Sequence, residues 1–196
     1  ISAEGYVVDR MKILFNGADE SPTTFHGTLD SNDTGPYQAG FRNSVKVQNG
    51  NQSSGAGSSD YMLIRYTFEG QDLAQSGWNY LSSSSFVTIS FWAKSSVSYT
   101  AYGMMQINDG TSRMFTYSYA LTANTWKKVT VKVPGSASPA IQIDNDNGGG
   151  AYIDFWVFAG TSYTSSGAAS AETWADFANT ARFQDMASTW WTTNNA

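Results

Sequence analysis

The chain has 196 residues, long enough for one sizeable core and short for two. Hydrophobic residues make up 41%, which excludes wholesale disorder, yet no apolar run approaches the ~20 residues of a membrane-spanning helix. A net charge of −5 argues against nucleic-acid backbone binding, and the lack of any Cys excludes both a disulfide framework and a thiolate metal site.

Candidate strands follow one another, separated by clusters of Gly, Ser, Asn and Asp. "GYVVDRMKIL" predicts an opening strand from Tyr6 to Leu14. Residues 16–44 read as a loop rich in Asn, Asp, Gly and Thr, apart from a short strand near Val45 in "NSVKVQ". "QNGNQSSGAGSS" at 48–59 is a second loop. Further strands are expected at Tyr61–Phe68, Phe86–Lys94, Ala101–Ile107, Met114–Leu121, Trp126–Val133 and Ala151–Ala159. "NDGTS", Asn108 to Ser112, is the best hairpin turn. "SAETWADFAN" puts Trp174, Phe177 and Ala178 at helical spacing after a Ser170 start, which predicts one short C-terminal helix. The fold class is therefore all-β: a jelly-roll β-sandwich of about eight or more antiparallel strands in one domain, 1–196.

"FVTISFWAK" at 86–94 poses a question. Val87, Ile89, Phe91 and Ala93 share one face, and Thr88 and Ser90 suit a solvated face, but Trp92 does not. The strand "AYIDFWVFAG" is also apolar on both faces. Two such strands suggest central positions whose outer face is covered, so Trp92 is expected to be mostly buried in a second, smaller core layer.

Several motifs occur in order: "GYVVDRM", "YTFEGQDLAQSGW", "VTISFWAKSS", "ALTANTWKKVTVKVPG" and "DNGGGAYIDFWVFAGTSYTS". Together they resemble a jelly-roll, carbohydrate-binding-module-like domain of tail-fibre and other structural proteins of tailed phages, especially marine ones. The resemblance runs from about Gly5 to about Trp191. It implies a non-catalytic adhesion or glycan-recognition module on the virion, facing host polysaccharide, with other virion subunits as partners and a homotrimer as one arrangement. The alternative is a purely architectural virion subunit. Members of this group close with an apolar strand after the position of Ala196, so here that strand is either absent or supplied elsewhere. Such a gap would leave an open edge, which proteins normally pair or cover.

The composition agrees with this. Charged residues are only 14%, and hydroxyls, amides and Gly fill the surface instead, as in extracellular and virion β-proteins. Catalytic chemistry has little to stand on. His26 is the only His and falls in a loop, and no activated Ser or Cys motif is present. Glu69, Asp72, Asp144, Asp146, Asp154, Glu172 and Asp176 read as turn, cap and solvating groups rather than a glycosidase pair. No nucleic acid or membrane insertion is expected.

Stacking of sugar rings on aromatic side chains is the sharpest binding hypothesis. Loop-borne aromatics are the candidates: Trp78, Tyr80, Tyr99, Tyr102, Tyr163, Trp190 and Trp191. Trp126, Trp156 and the Phe115, Tyr117, Tyr119 set read as core. No cofactor is required, but two oxygen-rich loops could hold a structural calcium ion, through Asp144 and Asp146 in "DNDNGGG" and through Asp30 and Asn32 in "LDSNDTGP". A plain Asx turn between strands is the simpler reading of both.

Overall fold

The computed structural model describes residues 5–8, 10–164, 171–180 and 182–183. It is antiparallel β as expected. The largest sheet has seven strands: β1 (Gly5–Val8), β2 (Met11–Asn16), β5 (Tyr61–Glu69), β7 (Tyr99–Ile107), β8 (Arg113–Leu121), β10 (Gly149–Ala159) and β11 (Trp174–Asp176). They lie in the order β1-β2-β5-β10-β7-β8-β11. Two separate ribbons accompany them. One pairs β3 (Thr23–Thr28) with β4 (Asn43–Gln48), the other β6 (Phe86–Ala93) with β9 (Lys127–Pro134).

Period-2 alternation explains how these parts stack. In β9, Val129, Val131 and Val133 are buried while Lys128, Thr130 and Lys132 are exposed. The three valines and Ile89 of β6 share a core with Ala101, Met105, Phe115, Tyr117 and Ala151 of the large sheet. The β6–β9 ribbon thus packs on one face of that sheet. Val47 of β4 packs against Ile13, Met62 and Phe158, which places the β3–β4 ribbon over the same face. The opposite face of the sheet carries a second core of Leu63, Met104, Met114, Trp156 and Phe183.

Three expectations need correction. The opening strand is two strands: Arg10 adopts φ 56°, outside the β region, and the chain folds back as β1 on β2. A strand missed in the 16–44 loop, β3, pairs with β4 along its full length. The C-terminal helix does not form. Glu172 has φ 61°, which breaks helical continuity, and Trp174–Asp176 pair with Phe115–Arg113 of β8. The Trp174 indole N–H donates to the Pro134 carbonyl at 2.7 Å, and its ring lies on Phe115. Ladder bonds and ring contacts thus outweigh the helical spacing. Among the described residues the one α-helix is α1, Gly70–Ala74.

Candidate functional site

A cavity lies between the two ribbons. One wall is β4, through Asn43, Ser44, Val45 and Val47; the other is β6, from Ser90 onward. Met11, Ile64, Phe155 and Val157 of the large sheet line the floor. Leu29, Pro36 and Phe41, from the loop joining β3 to β4, close one end. The cavity holds about 390 Å³ and continues past Ser90 and Phe91 into a second space of about 710 Å³ beside Val87, Thr88 and Ile89. Met11 and Phe155 belong to both. The result is one cleft running along β6, with an apolar floor.

Both walls are strand edges. β4 has β3 as its ladder partner and β6 has β9. Among the described residues, no backbone hydrogen bond joins the other edge of either strand to a neighbour. Among the described residues, two rows of peptide donors and acceptors therefore face the cleft without a ladder partner.

A polar latch sits at the mouth. Asp33 Oδ1 accepts from the Trp126 indole N–H at 2.8 Å and from Lys94 Nζ at 3.0 Å. Lys94 also lies 4.9 Å from the centre of the Trp126 ring. These bonds, the Trp126 indole first, pull the Asp33 carboxyl down to about 2. Trp126, expected in the core, is instead partly buried at this rim. Beside it, Trp92 points away from the main core and is partly buried rather than enclosed. Its cover is the loop: a Cβ on Gly35, at φ 100°, would come within 2.6 Å of the ring. Glycine is needed there both for its conformation and for this approach.

The expected stacking aromatics are dispersed. Trp78 is buried in the main core and donates to the Ser85 carbonyl at 3.2 Å. Tyr80 packs edge-on to Trp78. Tyr102 lies against Phe183, and Tyr163 against Tyr61 and Trp156, on the other face of the large sheet. Tyr99 touches the cleft, and burial pushes its phenol above the ordinary value. Trp190 and Trp191 lie outside the described residues.

The acidic loops make local hydrogen bonds. Asp146 Oδ1 accepts from the Gly148 amide at 2.9 Å, while the Asp144 amide donates to Asp109 at 2.8 Å. Asp30 Oδ1 accepts from the Asn32 amide at 2.7 Å. Among the described residues no three His, Cys, Asp or Glu side chains converge on one point. Other carboxylates are held by arginines. Glu69 and Asp72 face Arg10, Asp176 meets Arg113, and Asp154 takes a bidentate bond from Arg65 at 2.7 Å on each oxygen. Asp154 is fully buried. Burial pushes its carboxyl up, and Arg65 opposes that shift.

The cleft and its latch escaped sequence reasoning because each draws on segments far apart in the chain: Asp33 and Trp126 are separated by 93 positions. The available signal was the alternation of "SVKV" and "VTISF", which marks strands but not their missing partners. Comparison with protein families, with curated proteins and with solved structures finds no match to this chain.

Proposed function

We propose that this chain is a non-catalytic architectural module of a tailed-phage virion, attached to other polypeptide through the cleft between β4 and β6. The observation that carries the proposal is the pair of strand edges, without a ladder partner among the described residues, that border the cleft over an apolar floor. An apolar cleft of this kind suits a polypeptide better than a sugar, whose hydroxyls need partners on every side. The local pairing of the carboxylates supports a non-enzymatic role, and the order of the sequence motifs supports the phage assignment. The arrangement of a large antiparallel sheet faced by two ribbons supports the jelly-roll reading. Mass spectrometry of purified particles of the encoding phage tests this; the chain should be present in fixed copy number, and its absence from the particle would overturn the reading.

A second reading, glycan adhesion, is favoured by the mouth of the cleft. There Trp92, Trp126 and Phe41, the last 54% exposed, gather beside Asp33 and Lys94. Aromatic faces next to charged hydrogen-bonding groups suit a sugar ring. Binding to host polysaccharide that Trp126→Ala abolishes would move the assignment to this reading.

A further inference from the structure

We propose that Asn147 is a self-modification site: in the folded chain it converts spontaneously to aspartate and isoaspartate, with Asp146 as the general base. The reaction needs only water and does not depend on what the cleft binds.

The sequence contains three Asn-Gly steps, Asn16–Gly17, Asn49–Gly50 and Asn147–Gly148. Such a step is the one most open to this chemistry, because a glycine has no Cβ to hinder attack by its nitrogen on the preceding side chain. The fold treats the three differently. Asn49 is fully buried, and its carbonyl accepts from Gln52 Nε2 at 2.5 Å. Asn16 ends β2 in the ladder opposite Tyr61, and its side-chain amide donates to the Ser59 carbonyl at 3.3 Å. Asn147 lies in an exposed bend before β10, and its side chain makes no hydrogen bond among the described residues. Ring closure requires the Asn side chain to swing over the next amide. A buried or tethered side chain resists that movement, and an exposed one in a bend does not.

The nucleophile is also prepared. The Gly148 N–H donates to Asp146 Oδ1 at 2.9 Å, so a carboxylate already rests on the proton that must leave. The Gly148 nitrogen forms a bond to Asn147 Cγ as its proton passes to Asp146. The bond from Cγ to the side-chain nitrogen then breaks, and that nitrogen leaves as ammonia with the proton. Water opens the resulting five-membered imide at one carbonyl to give aspartate, or at the other to give isoaspartate.

The product differs in charge and in backbone. A neutral amide becomes a carboxylate beside Asp144 and Asp146. Isoaspartate also routes the main chain through the side chain, which adds a methylene before Gly148. The groups displaced are ones that α1 uses. The Gly148 carbonyl accepts from the Gly70 amide at 3.0 Å, and the Asp146 carbonyl accepts from the Gln71 amide at 2.8 Å. Conversion therefore loosens the start of α1.

The test incubates the whole 196-residue chain at neutral pH, native and in parallel unfolded in urea. Peptide mass spectrometry follows each Asn-Gly step, and enzymatic methylation scores isoaspartate. In urea the three steps should react within about threefold of one another, because no fold separates them. In the native chain Asn16 and Asn49 should slow by about tenfold or more, while Asn147 keeps or exceeds its rate in urea. Asp146→Ser should slow Asn147 by about tenfold in the native chain and leave it unchanged in urea, with circular dichroism showing the fold intact. The comparison of native and unfolded wild-type chain decides the matter even where that variant fails to fold. Conversion of Asn147 ahead of the other two, slowed by Asp146→Ser, supports the proposal. Protection of Asn147 by folding as strong as that of Asn16 and Asn49, or a native rate unmoved by a folded Asp146→Ser chain, overturns it. Amide exchange on the converted chain should show loss of protection at Gly70 and Gln71; unchanged protection there overturns the link to α1.

Discussion

Tyr117 shows how close packing sets what a side chain can do. Its ring lies over Gly103 of the adjacent strand, where a Cβ would collide with it, and its hydroxyl is buried without a hydrogen-bond partner. A buried hydroxyl left unpaired costs free energy, so Tyr117→Phe should be neutral or stabilising by about 1 kcal/mol in urea unfolding. Gly103→Ala should destabilise by about 1–3 kcal/mol through overpacking against the same ring. Asp33 makes a pH-dependent prediction. Its folded pKa of about 2 lies below the ordinary value of 3.8, so the bonds to Trp126 and Lys94 contribute fully above the ordinary value. They are lost as the pH falls through that interval toward 2. The Trp126 indole N–H resonance should shift across that window in the native chain and stay constant in Asp33→Asn.

Among the elements, β5 and β10 hold a bidentate ion pair whose acid is fully buried. Arg65 and Asp154 face one another across these neighbouring strands, and the Arg65 guanidinium also lies 4.1 Å from the centre of the Tyr152 ring. Asp154→Ala should destabilise by about 3–5 kcal/mol, because a partly buried guanidinium is left without its counter-ion. Replacing both partners, Arg65→Met with Asp154→Leu, should recover most of that loss. A double-mutant cycle in thermal unfolding measures the coupling. Alternation also predicted the element types well. The strands at 61–68, 86–94, 101–107, 114–121 and 151–159 stand within a few residues of their expected places, and the Asn108–Ser112 turn joins β7 to β8. The misses have separate causes. The Trp174 segment has helical spacing, but its residues gain more from pairing with β8 and from the contact of Trp174 with Phe115. β3 has weak apolar alternation, with His26 and Gly27 inside it, and exists through its pairing with β4.

For the molecule as a whole, protection should follow position in the sheet. β5, β10 and β7 each have a strand on both sides. Their amides should exchange slowest, while the edge strands β1 and β11 and the edges of β4 and β6 that have no partner among the described residues should exchange fastest; hydrogen exchange on the isolated chain checks this order.

Composition and alternation establish the β class and the rows of residues that face a core, because strand patterning is local and repeats every two residues. They also identify Val129, Val131 and Val133 as one buried face. Partner choice is not local. Which strands lie side by side depends on contacts between segments tens of residues apart, and so the two ribbons, the gap between them and the Asp33–Trp126 latch follow from packing alone. Trp92 marks the boundary. Its position on the wrong face of "FVTISFWAK" announced that something covers that side of the strand. Only the folded chain shows that the cover is the loop at Gly35, whose lack of a side chain lets the backbone close over the indole.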